Sequence, residues 1–247
     1  MSNSLEGKIA VVTGGSTGIG LGIAKRFVSE GATVVITGRR QAELDAAVAE
    51  IGPKASAFRA DVAVLADLDA LYAEVERTHG RIDVVVANAG GGSLAKLGEI
   101  TEEHFNSTFA INVKGVLFTV QKALPLMRNG GSVIVTGSTT SIMGTEAFSV
   151  YSGTKAAIRN FVRSWILDLK GRNIRVNVLS PGPIDTPALR GVAEQAEGLI
   201  DYLTSQVPLG RIGDADETGK VAVFLASDAS SFVNGAELFV DGGMAQV

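Results

Sequence analysis

Cysteine is absent from the 247 residues, which excludes a disulfide framework, a cysteine-based zinc site and a catalytic thiol. Histidine occurs twice, at His79 and His104, too few for an ordinary histidine-based metal site, so no metal is expected. Aromatic residues make up only 6% of the chain, which leaves the core to aliphatic side chains. Blocks of like charge are missing too. The 22 Lys and Arg and 26 Asp and Glu are interspersed, for a net charge of −4, so no footprint for nucleic acid or an anionic membrane is present. No apolar run is long enough to span a bilayer. The stretch Met1–Gly7 lacks the basic and apolar regions of a secretory leader, and a cytoplasmic location is expected.

What the chain has in quantity is hydrophobic residues, 46%, and glycine, 30 residues, as suits a parallel sheet of Val, Ile, Leu and Ala with tight connecting turns. Short β-branched runs predict strands at Ile9–Thr13, Thr33–Thr37, Ala55–Arg59, Val84–Ala87, Ser132–Thr136, Arg175–Leu179 and Glu237–Val240. Between them, apolar residues at three- and four-residue spacing predict helices over Ile19–Glu30, Gln41–Ile51, Ala66–His79, Phe105–Leu126, Tyr151–Leu169 and Ala215–Ala226. Strand alternating with helix implies right-handed crossovers, and hence a single α/β domain over 1–247 with a Rossmann-type, doubly wound, seven-stranded parallel sheet. The rhythm breaks at Pro181–Pro208, where four prolines flank two short helical patches; a substrate lid at about 187–208 is expected there.

The first predicted strand runs into Thr13-Gly14-Gly15-Ser16-Thr17-Gly18-Ile19-Gly20 and then a helix. Glycines at such a turn let the backbone approach a pyrophosphate, whose charge is met by free N–H groups and the positive helix end. Standing alone, such a turn can also be a glycine-rich strand-to-helix connection that binds nothing. About 20 residues on, where an acidic residue would hold the ribose of NAD, the chain reads Gly38-Arg39-Arg40. A carboxylate there would repel a 2′-phosphate; two guanidiniums can grip it, so NADP(H) is expected over NAD(H), with Ser16 offering a further hydroxyl. The bland alternative is a pair of arginines opening a solvated helix. Asp61-Val62 could accept the adenine amino group and wall its ring, although Asp61 could as well be a helix N-cap. Asn88-Ala89-Gly90 supplies backbone able to lie against a ribose.

Tyr151 and Lys155 are four residues apart at the start of a predicted helix and emerge on one face. A tyrosine ionises near pH 10, but an adjacent ammonium favours the phenolate and brings it toward the working range. Taken with Thr13–Gly20, Asn88-Ala89-Gly90, Asn112, Ser138 and Pro181-Gly182, this pair gives a chain that resembles the short-chain dehydrogenase/reductase family, in its compact branch, across Leu5 to Val247. Within that family it resembles bacterial NADPH-linked alcohol dehydrogenases acting on bulky secondary alcohols and ketones.

The resemblance implies that Tyr151 protonates the carbonyl oxygen during reduction, Ser138 holds that oxygen, and Lys155 binds the nicotinamide ribose and lowers the Tyr151 pKa. It implies further that Asn112 holds a water linking Lys155 to solvent. Without it, Ser138 could not be chosen from the run of hydroxyls at Thr136, Thr139, Thr140 and Ser141. Pro181-Gly182-Pro183-Ile184-Asp185-Thr186 would meet the carboxamide of the nicotinamide, through Ile184 and Thr186. The pocket is expected to be lined by small or apolar groups at Gly91, Ser138, Thr140, Phe148 and Leu189, suiting an uncharged ketone or alcohol.

Two other functions fit less well. One is a 3-oxoacyl thioester reductase, with Arg128 and Arg172 receiving an acidic carrier protein; the other is a catalytically silent NADP(H)-binding sensor, which the intact catalytic set argues against. Surplus apolar surface on the helices predicted around Phe105 and Trp165 predicts a homo-oligomer, a tetramer by family resemblance.

Overall fold

The computed structural model describes residues 3–128, 130–194 and 196–247. The strands are β1 (Ile9–Thr13), β2 (Thr33–Gly38), β3 (Ala55–Arg59), β4 (Val84–Ala87), β5 (Gly131–Thr136), β6 (Ile174–Pro181) and β7 (Glu237–Val240). They form one seven-stranded sheet in the order β3-β2-β1-β4-β5-β6-β7, with every pairing parallel. The order reverses between β1 and β4, the switch point at which such sheets leave a crevice beyond their carboxyl ends. The sheet is the Rossmann-type one that the strand–helix alternation predicts.

Alternation along the strands divides the core in two. Val11, Val35, Val85, Val133, Val135, Val176 and Val178 face one side. There they meet α3 (Leu65–His79), α5 (Val116–Ala123) and α6 (Ser149–Asp168). Ala10, Val12, Val34, Ile36, Val84, Val86 and Ile134 face the other side. That side is covered by α1 (Gly18–Ser29), α2 (Gln41–Ile51) and α9 (Ala215–Ala226). Because β1, β2, β4 and β5 are covered on both faces, their sequences are near-continuous apolar runs, whereas the edge strand β3 is only partly covered.

The remaining helices depart from the sequence expectation. The predicted continuous helix Phe105–Leu126 begins earlier, as α4 (Glu102–Phe109), where the Thr101 hydroxyl accepts the His104 amide at 3.1 Å as N-cap. It then widens into a π turn over Ala110–Gly115, resumes as α5 and tightens into a 3-10 turn at Leu124–Leu126. Apolar spacing alone could not reveal the widening, because a π turn costs one residue of register and keeps the same face buried. The two helical patches in the proline-rich segment are α7 (Pro187–Ala193) and α8 (Leu199–Gln206). No helix among the described residues is long and apolar enough to cross a membrane.

Candidate active site

The turn after β1 opens α1 at its N-terminus, and Thr17 there makes no side-chain cap. The first-turn amides of Gly18, Ile19 and Gly20 are therefore left by the helix for an outside acceptor. Close packing dictates glycine here. A Cβ on Gly20 would stand 2.1 Å from the Gly14 carbonyl oxygen, and one on Gly14 would stand 2.9 Å from Ala89 Cα. Asn88 fixes the turn from β4: its Nδ2 donates to the carbonyls of Thr13 at 3.0 Å and Gly14 at 3.2 Å. Its Oδ1 accepts from the Thr136 hydroxyl at 3.2 Å. Uncapped amides at a helix end walled by glycine are the donor set that a pyrophosphate requires, so these residues fit a dinucleotide.

At the end of β2, Gly38 lies beside Ser16, whose hydroxyl would be 3.0 Å from a Cβ built on Gly38. Arg39 is exposed. Arg40 is already ion-paired with Glu43 at 2.5 Å, so the two arginines are not equivalent as the sequence had them. The register supplies another guanidinium. Arg59 ends β3 directly opposite Gly38, on the same face of the sheet, and is exposed with no partner among the described residues. A sequence reading has no means of finding it, since the pairing of β2 with β3 is a tertiary fact.

The two readings of Asp61 are separated by geometry. Val64, not Asp61, is the N-cap of α3. Asp61 instead closes an Asx turn, Oδ1 accepting the Ala63 amide at 2.9 Å. Val62 is 5% exposed and packs on Gly115, where a Cβ would come within 2.7 Å of its Cγ2. Most of its side chain therefore packs into the core beside Gly115.

Tyr151 and Lys155 emerge from the first turns of α6 as the spacing predicts. Lys155 is buried, and its Nζ donates to the Thr136 carbonyl at 2.7 Å while lying 5.5 Å from the centre of the Tyr151 ring. The electrostatics differ from the simple picture of a lysine acidifying a tyrosine. Burial pushes the Tyr151 phenol above its ordinary value, opposed only by the neighbouring Ser138 hydroxyl, which favours the phenolate. Burial pulls Lys155 down to about 8. Desolvation is the leading cause of both shifts.

Ser138 is singled out from its hydroxyl neighbours by the structure. It caps a 3-10 turn over Thr139–Ser141, and its Oγ accepts from the Thr140 amide at 3.2 Å and the Thr140 hydroxyl at 3.0 Å. With both acceptor positions taken, its own O–H is left to donate. Thr140 thus serves Ser138, while Thr136 bonds Asn88.

Asn112 sits fully buried in the π turn, and its amide is committed. Nδ2 donates to the Gly91 carbonyl at 2.8 Å and the Thr154 hydroxyl at 3.0 Å, and Oδ1 accepts the Gly91 amide at 3.0 Å. The side chain therefore clamps the loop after β4, with one acceptor position of Oδ1 left over. A Cβ on Gly90 would stand 3.2 Å from Asn112 Oδ1 and 3.5 Å from Lys155 Nζ, so three of the expected residues converge at that point. Phe148 stacks on Tyr151 with ring centres 4.4 Å apart. Gly92 presses on the same ring, where a Cβ would meet Tyr151 Cδ2 at 2.6 Å.

At the end of β6, Pro181 pairs with Val240, and a Cβ on Gly182 would strike Asp241 Cα at 2.8 Å. Ile184 is buried and bridges to Gly213. The Thr186 hydroxyl caps α7 by accepting the Leu189 amide at 3.2 Å, and its methyl lies 3.2 Å from a Cβ position on Gly18. The loop after β6 therefore starts directly across from the glycine-rich turn.

Comparison with known proteins agrees with this arrangement. The sequence model of a family described as enoyl-(acyl carrier protein) reductase matches residues 14–245. An oxidoreductase of Sarocladium schorii is 50% identical over 98% of each chain. An NADP-dependent (R)-specific alcohol dehydrogenase of Lentilactobacillus kefiri is 37% identical over 98% of each chain. A 3-oxoacyl-[acyl-carrier-protein] reductase of Thermotoga maritima is 36% identical over 97% of this chain and 98% of its own. Among solved structures, a short-chain type dehydrogenase/reductase from Mycobacterium marinum superposes with a TM-score of 0.92 at 32% identity, covering 98% of this chain and 97% of the other. The chain belongs to the short-chain dehydrogenase/reductase family. It is an oxidoreductase that works with a nicotinamide cofactor.

Proposed function

We propose that the enzyme reduces an uncharged ketone, or oxidises the corresponding secondary alcohol, with NADP(H) preferred over NAD(H). The observation that carries this reading is the convergence of Tyr151, Ser138 and Lys155 beside the glycine-rich turn, beyond the carboxyl ends of β4 and β5. The bound cofactor supplies hydride. Tyr151, kept protonated by burial, donates a proton to the carbonyl oxygen, and the free O–H of Ser138 binds the same oxygen. Lys155, anchored on Thr136, holds ribose hydroxyls and returns a proton to Tyr151, with Asn112 beside it at the loop after β4 to hold the water that feeds it.

Phosphate selection falls to Arg39, with Ser16 and Arg59 beside Gly38. The segment 187–208 acts as a lid that begins over the turn, and Gly91, Phe148 and Leu189 give the pocket its apolar character. In the thioester-reductase alternative, Arg128 and Arg172 would meet a carrier protein. Here Arg172 is turned onto the Leu124 carbonyl at 2.8 Å, and Arg128 onto Glu76 and the Pro125 carbonyl at 3.3 Å each, which favours simple ketones.

The test is consumption of NADPH and NADH by the purified enzyme against a panel of bulky ketones and 3-oxoacyl thioesters. The reading expects the fastest turnover on a ketone with NADPH; thioester turnover above every ketone overturns it. Exposed Phe105 and Leu167, on α4 and α6, further support a homotetramer. Light scattering that returned the 25.5 kDa monomer mass would refute it.

A further inference from the structure

Glu237, the first residue of β7, carries a carboxylate that is only 10% exposed, and it faces Arg159, which is 15% exposed. Arg159 Nε donates to Oε2 at 2.9 Å. On the other oxygen, Oε1, the Ser180 hydroxyl donates at 2.6 Å and the Ser141 hydroxyl at 3.1 Å. These donors come from three separate parts of the site. Arg159 lies one turn past Lys155 and two past Tyr151 on α6, so it shares their helix face. Ser141 closes the 3-10 turn that Ser138 caps. Ser180 immediately precedes Pro181-Gly182. Gly137 packs under it, since a Cβ there would stand 2.2 Å from the Ser180 hydroxyl.

A buried ion pair is a poor way to gain stability, because desolvation offsets the attraction and apolar replacements do as well. This one is also incomplete: Arg159 Nη1 is buried with no hydrogen-bond partner. What the arrangement does provide is a side-chain link, at one carboxylate, between the turn that carries Ser138 and the helix that carries Tyr151, added to the sheet pairing of β5, β6 and β7 and to the Lys155–Thr136 hydrogen bond. Ser138 and Tyr151 must reach the same carbonyl oxygen from different elements, and a misplacement of about 1 Å is enough to cost roughly a hundredfold in rate.

We propose that Glu237 is a positioning residue which, through Ser141 and Arg159, sets the distance between the Ser138 hydroxyl and the Tyr151 phenol. The assignment rests on the roles given above to Tyr151 and Ser138. Ser138 is also the one neighbour favouring the phenolate. Loosening its turn should therefore raise the apparent pKa that governs alcohol oxidation as well as slow the reaction.

The experiment compares Ser141→Ala, Ser141→Thr, the paired change Arg159→Met with Glu237→Met, and Tyr151→Phe in the full-length enzyme. It measures kcat, substrate KM, the pH profile of alcohol oxidation, the NADPH Kd from fluorescence titration, and Tm. Ser141→Ala is expected to lower kcat about tenfold. The rising limb of its pH profile should move to higher pH, while NADPH affinity stays within about twofold. Ser141→Thr, which keeps the hydroxyl, should restore both. The paired variant removes both charges together and so leaves no unpaired ion to unfold the protein; it should show the same loss of kcat or a larger one. Parental kcat and pH profile in Ser141→Ala, or an equal loss in Ser141→Thr, overturns the proposal. If Tyr151→Phe is inactive while Ser141→Ala matches the parent, the positioning role alone falls. If Tyr151→Phe matches the parent, the whole reading falls with it.

Discussion

Lys155 Nζ donates to the carbonyl of Thr136, the last residue of β5, at 2.7 Å, and so ties the catalytic helix to the strand that leads into Ser138. The ammonium is held by one carbonyl in a buried site, and its pKa falls from 10.5 to about 8. The unfolded chain therefore binds this proton more tightly than the folded one. The sign follows from that: the stability lost to burying the charge is fully lost below about pH 8 and is recovered as pH rises toward 10.5. The total is about 3 kcal/mol. Urea unfolding of the parent and of Lys155→Met, from about pH 7 to about 9.5, should show the parent gaining relative to the variant. A constant difference across that range would contradict the buried-charge account.

Tyr151 carries the proton in the proposed reaction. Tyr151→Phe keeps the ring that stacks on Phe148 and removes only the hydroxyl. Ketone reduction should fall by about 10²- to 10⁴-fold, with NADPH binding within about threefold of the parent. Steady-state kinetics beside fluorescence titration measures both, and comparable turnover would dismiss Tyr151 as the acid.

Cofactor choice should divide unequally among the arginines. Arg39→Asp places a carboxylate at the phosphate position and should weaken NADPH binding by about 100-fold, leaving NADH little changed. Arg59→Ala should do the same more mildly, by about tenfold. Arg40→Ala, which breaks the exposed pair with Glu43, should do least. Equal losses with both cofactors in the Arg39 and Arg59 variants would remove these residues from phosphate recognition.

Gly92 is predicted to be intolerant of any side chain. A Cβ there would stand 2.6 Å from the Tyr151 ring, so Gly92→Ala must displace either the loop or the phenol. The expected result is a kcat lower by about a hundredfold with NADPH affinity retained. An alanine variant with parental kcat would mean that the loop adjusts without disturbing Tyr151.

Much of this protein is legible in its sequence. All seven strands lie within two residues of their expected bounds, and β1, β2, β4 and β5 were the plainest because strands covered on both faces are near-continuously apolar. The glycine-rich turn and the Tyr151–Lys155 pair were legible for a similar reason: each is local, and its geometry follows from a few consecutive bonds. Asn112 in mid-helix could signal an irregularity, but the π turn that interrupts the long helix was not legible as such. It is dictated by Asn112 having to reach Gly91 and Thr154, both distant in sequence.

The order of residues along the chain by itself determined the sheet, its helices on both faces and the identity of the groups that meet beyond its carboxyl edge. Only the tertiary structure decided which hydroxyl of the Ser138 run is free to donate, that Arg59 joins Arg39 beside Gly38, and that burial governs the charges of Tyr151 and Lys155. Those are properties of neighbours brought together across the fold, where solvent exclusion and cross-strand register act, and neither is encoded in the spacing of residues along a single segment.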